Sequence, residues 1–107
     1  MSGIADATTI DLVAQDAAGE YMVVMVEDRP WGTDRVQQLQ LRDKINLYAD
    51  FINNGDLVRE YPETAGKPVR IHLDCVEEPT GDIVKVVEYA TGQLRELGIG
   101  FTVNVRD

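Results

Sequence analysis

The sequence predicts an α+β domain in the order β-β-α-β-α-β, a mixed four-stranded sheet with two helices packed on one face. Three observations carry this. Residues 9–14, 21–26, 69–77 and 101–106 are rich in β-branched and aliphatic side chains, the last two runs in alternation with polar ones. Residues 34–53 and 83–97 instead place apolar side chains three and four apart, the period of a helix with one buried face. Each helix joins two strands by a crossover long enough to make them parallel. Right-handed crossovers advancing in one direction put both helices on one side of the sheet.

The first element is a hairpin. Residues 9–14 and the run Tyr-Met-Val-Val-Met-Val at 21–26 flank Asp16-Ala17-Ala18-Gly19-Glu20, which supplies turn chemistry. The second strand is apolar at consecutive positions, so it belongs inside the sheet, buried on both faces, and the first strand is the edge. Arg29-Pro30-Trp31-Gly32 then breaks the chain, and Thr33 or Asp34 can accept the free amide protons of a new helix. Along 34–53, Leu41, Ile45, Tyr48 and Ile52 form the apolar stripe, widened by Val36, Leu47, Ala49 and Phe51. Asn53-Asn54-Gly55 ends it, because glycine takes the left-handed conformation readily.

Residues 56–68 read as a loop marked by Tyr61-Pro62, Ala65-Gly66 and Lys67-Pro68, with a short helical extension at 56–60. In 69–77, Val69, Ile71, Leu73 and Cys75 alternate with Arg70, His72, Asp74 and Val76. Pro79-Thr80-Gly81-Asp82 opens the second helix, whose stripe is Ile83, Val87, Ala90, Leu94 and Leu97, with Gly98 as its C-terminal cap. Gly92 inside it costs about 1 kcal/mol against alanine, which suggests close packing against a neighbour. Phe101, Val103 and Val105 alternate with Thr102, Asn104 and Arg106 in the last strand.

At 107 residues the chain fits one domain, with residues 1–7 read as a disordered tail. With 44% hydrophobic residues it can build a core. Ten bases against nineteen acids give a net charge of −9, which argues against nucleic acid as partner. Asp6, Asp11, Asp16, Glu20, Glu27 and Asp28 put −6 of that on the first 28 residues, which hold no base. The longest apolar run, residues 21–26, is far short of the ~20 residues that span a bilayer, so no membrane segment is expected. A lone cysteine, Cys75, makes no internal disulfide, and the first residues carry no signal-peptide pattern, which together point to the cytoplasm.

Chemistry-bearing residues are few. His72 and Cys75 are three apart on one strand and therefore face opposite sides, so they cannot act as a nucleophile and base or share a metal. Cys75 is in phase with Ile71 and Leu73 and reads as a core thiol. On the other face, Arg70, His72 and Asp74 meet Thr102, Asn104 and Arg106 if the two strands are neighbours. There, Arg70, His72, Asp74, Asn104 and Arg106 are candidates for an anionic-ligand site, weighed against an ordinary solvated face. No cofactor, no metal and no catalytic residue is expected, since the glycines fit neither a dinucleotide fingerprint nor a phosphate loop. Trp31 and Tyr61, with the hairpin acids Asp11, Asp16 and Glu20, are the candidate protein-contact residues.

Trp31, Leu39-Gln40-Leu41, Lys44-Ile45-Asn46-Leu47-Tyr48 with Phe51-Ile52, Gly55, Tyr61-Pro62 and Gly66-Lys67 together resemble a family of small bacterial proteins of unknown function. The likeness covers residues 8–100, with its motifs in the middle third. That resemblance implies a bacterial, cytosolic protein and transfers no chemistry. The leading expectation is an accessory module that binds a protein partner, a basic one by charge, in the manner of an inhibitor or immunity protein, as a monomer or homodimer. The alternative is a small anionic-ligand binder or minor enzyme on the open sheet face.

Overall fold

In the computed structural model, which describes residues 4–6, 9–32 and 35–106, the chain opens with the hairpin β1 (Leu12–Gln15) and β2 (Tyr21–Glu27). Asp16 closes its turn, with Oδ1 accepting the amides of Ala18 and Glu20, both at 2.9 Å, and Gly19 takes φ 85°. β1 starts at Leu12 rather than at residue 9. Asp11 turns its carboxylate inward, and Oδ2 accepts the Val26 amide at 3.2 Å, so a side chain stands in for the next rung of the ladder.

The first helix, α1, is Arg35–Asn53, and the expected caps Thr33 and Asp34 lie outside the described residues. Gly55 at φ 93° follows it. The short helical stretch expected at 56–60 is present as a separate helix, α2 (Asp56–Glu60), and a 3-10 turn (Pro62–Thr64) follows where a loop was expected. β3 is Val69–Cys75, α3 is Asp82–Glu96 and β4 is Gly100–Val105. α3 ends as its sequence predicts: the Gly98 amide donates to Arg95 O and the Ile99 amide to Leu94 O, with Gly98 at φ 76° and both Leu94 and Ile99 buried. The expectation for Gly92 is corrected, because nothing lies within 4 Å of where its Cβ would stand.

The strands lie in chain order, β1-β2-β3-β4, antiparallel for the first pair and parallel thereafter. Register fixes the faces. Val23 pairs with Ile71 and Met25 with Leu73 under the helices, and all four are fully buried with Leu41, Tyr48, Ile83 and Cys75. Val24, His72 and Thr102 form one row of the open face, and Val26, Asp74 and Asn104 the next. Val24 and Val26 are buried as well, as expected for an inner strand. Of the stretch read as a tail, residues 4–6 are described, and Ile4 is instead part of the core. No helix among the described residues is long and apolar enough to cross a membrane.

Candidate functional site

The register that pairs β3 with β4 assembles the polar face. Arg70 reaches back across β2 to the hairpin turn, with Nη1 2.8 Å from Asp16 Oδ2 and 3.3 Å from Glu20 Oε1, and its Nε donates to Thr102 Oγ1 at 3.2 Å. His72 Nδ1 lies 2.6 Å from the same Thr102 oxygen. Since that oxygen already accepts from Arg70, its own proton is free to point at Nδ1, which suits a neutral ring protonated at Nε2. Burial, reinforced by the Arg70 charge and opposed by Asp74, holds the His72 pKa below its ordinary 6.5. Asn104 Nδ2 donates to Asp74 Oδ1 at 3.0 Å, and Arg106 is tied to Asp28 and Asp74.

All five residues named for an anionic ligand thus share one face, but each guanidinium is already held by carboxylates of this chain. An incoming anion would have to displace Asp16, Glu20, Asp28 or Asp74.

The residues named for protein contact do not converge. Asp16 and Glu20 serve Arg70, whose hydrogen bond to Asp16 holds that carboxyl below the usual range. Asp11 is buried, its side chain 1% exposed against a fully buried Lys44, so it offers no partner a contact. Trp31 is half-buried, its indole N–H donating to Glu77 O at 2.9 Å and its amide to Glu77 Oε1 at 3.2 Å, which clamps the segment after β2 onto the end of β3. Tyr61 caps the C-terminal end of α2 and is exposed. Cys75 is fully buried, and burial first, then the Asp74 charge, pushes its thiol pKa up, away from nucleophilic use. Among the described residues no group of three or more His, Cys, Asp or Glu is placed to hold a metal.

Two buried polar clusters escaped the sequence reading. Lys44 Nζ donates to Asp6 O (2.6 Å), Thr9 O (2.7 Å) and Asp11 Oδ1 (3.0 Å). Tyr48 lies one turn on. Its hydroxyl accepts the Asp11 amide (2.9 Å) and donates to Val24 O (2.7 Å), and burial pushes its pKa up. Glu27, at the end of β2, is gripped by Arg29 (Nε 3.0 Å, Nη2 2.7 Å) and by the Gln37 amide (2.9 Å). Burial alone would raise the Glu27 pKa, but these donors outweigh it and leave it below the ordinary value. The available signal was spacing, because Gln37 and Lys44 fall on the buried stripe of α1 with Leu41, Ile45 and Tyr48.

The outer side of the helix layer carries a groove of about 910 Å³ between α1 and α3. Ile45 and Ala49 of α1 face Val86, Ala90 and Leu94 of α3, and the two alanines leave room that longer side chains would fill. Tyr89, 66% exposed, and Leu97, 50% exposed, flank it. On its rim, Lys85 is paired with Asp82 (3.4 Å) and Arg42 with the neighbouring Asp43 (3.1 Å), whereas Asp50 and Glu96 make no ion pair among the described residues.

Fold and surface define a small α+β protein with a polar, internally neutralised sheet face and an apolar groove in its helix layer. The chain belongs to DUF6572, a family of unknown function, by a match that spans residues 1–107. Nothing matches it among curated proteins or among solved structures.

Proposed function

We propose that this protein is a non-enzymatic binding module that holds a basic partner protein in the groove between α1 and α3. The observation that carries the reading is the groove itself, with an apolar floor and Tyr89 and Leu97 exposed at its side. Large aromatics beside an apolar recess are the residues that anchor protein interfaces. A basic partner follows from charge: the chain carries −9, and the rim acids Asp50 and Glu96 are not neutralised by ion pairs among the described residues. An acidic inhibitor of a basic enzyme, the immunity-like role, is the specific form this takes. The sheet face suits a ligand less well, since its cations are already occupied.

The test compares wild type with Tyr89→Arg as immobilised bait in native lysate, followed by methyl chemical-shift mapping with any protein that wild type alone retains. Retention of a basic protein by wild type only, with shifts at Ile45, Ala49, Val86 and Leu94, supports the reading. Identical retention by both baits, or shifts confined to the sheet face, overturns it.

A further inference from the structure

We infer that β4 is a self-association edge, and that two copies of this chain pair their β4 strands antiparallel to make one continuous eight-stranded sheet. Among the described residues the sheet ends in β1 and β4, and the two edges are unlike. β1 has four residues and stops where Asp11 turns its carboxylate inward onto the Val26 amide. Shortness is one of the features that keep an edge from pairing. β4 has six residues, Gly-Phe-Thr-Val-Asn-Val, with no charge and no proline. Its Val103 and Val105, on the helix side, remain 36% and 40% exposed.

Backbone direction decides which groups are free. The Arg106 amide donates to Cys75 O at 2.8 Å, so the even-numbered residues turn their amides and carbonyls to β3. Phe101, Val103 and Val105 therefore present theirs outward, where an antiparallel neighbour takes both groups of each. A two-fold axis at Val103 is self-complementary. Val103 meets the partner's Val103, Phe101 meets the partner's Val105, and on the open face Thr102 meets the partner's Asn104. The same axis sets the two copies of α3 side by side and antiparallel. Their approaching flank is the one turned from the groove, Val84, Glu88, Thr91 and Arg95, so that Glu88 and Arg95 face each other with opposite charge across the axis. The acidic hairpins lie at the two far ends of the combined sheet, where their mutual repulsion is weakest.

Sedimentation equilibrium of the full chain, with amide exchange followed residue by residue, tests the pairing. The expected result is twice the chain mass at micromolar concentration. Slow exchange should then extend to Phe101, Val103 and Val105 as well as to the β3-paired Thr102 and Asn104. Val103→Lys sets two ammonium groups against each other at the axis and should weaken dimerisation by roughly 100-fold or more, restoring fast exchange at the three odd-numbered amides alone. A wild-type monomer throughout, a dimer whose odd-numbered amides exchange freely, open-ended oligomers, or a dimer untouched by Val103→Lys would each overturn the inference. If Val103→Lys fails to fold, the wild-type mass and exchange pattern still decide it.

Discussion

Lys44 shows how a single residue can look misplaced in sequence and be central in structure. A lysine on an apolar stripe is affordable only if its charge is matched and its protons are all accepted, and here two carbonyls and the Asp11 carboxylate do both. Asp11→Ala leaves a buried ammonium unmatched and the Val26 amide without its acceptor. It is expected to cost about 3–5 kcal/mol in denaturant unfolding, and Asp11→Ala/Lys44→Met should cost less than the sum of the two single changes. Tyr48→Phe removes a donor from Val24 O and an acceptor from the Asp11 amide, for an expected loss of about 1–3 kcal/mol in the same assay. The acidic N-terminal segment placed Asp11 among the candidate protein-contact residues. Asp11 is inside because a helix 33 residues later brings it a cation, and no local pattern announces that distance.

At the scale of elements, most of the fold was legible. Two periodicities separate strands from helices, and the glycines at 55 and 98 mark helix ends because both take positive φ. What was not legible depends on side chains acting on distant backbone, as with β1 losing its first residues to the Asp11 carboxylate, or on surface relief, as with the groove left by Ala49 and Ala90. The polar face was readable because alternation in two strands predicts it, and Asp74 with it, while most of its neutralisation was not, since the other carboxylates arrive from the hairpin turn and from Asp28. Two glycines of the α3 region give opposite expectations. Gly92 has open space around its missing Cβ, so Gly92→Ala should stabilise by about 0.5–1 kcal/mol. Gly81, at φ 56° and ψ −130°, is in a region that side chains avoid, and Gly81→Ala should cost about 1–3 kcal/mol. Thermal unfolding of the two variants checks both signs.

For the whole molecule, acid should act in two stages of the same sign. His72 is held below 6.5, so the fold favours the neutral ring. That contribution is complete above pH 6.5 and is lost as pH falls from 6.5 toward the folded-state pKa. Glu27 and Asp16 are held below 4.5 and 3.8, so their contributions are present above those values and disappear as pH falls through the lower folded-state ones. The melting temperature is therefore expected to be level from neutrality up to the ordinary thiol value of 9.0, above which the raised Cys75 pKa costs stability, to decline below pH 6.5, and to drop further below pH 4.5. His72→Gln should erase the first decline and leave the second. Strand order coincides with chain order, and this has a bearing on how the sheet is made. As the ribosome releases the chain, each new strand can dock on the edge its predecessor left, and no later strand has to be threaded between two that are already paired. Growth outward from the hairpin would leave β4 as the last of these four strands to find its neighbour.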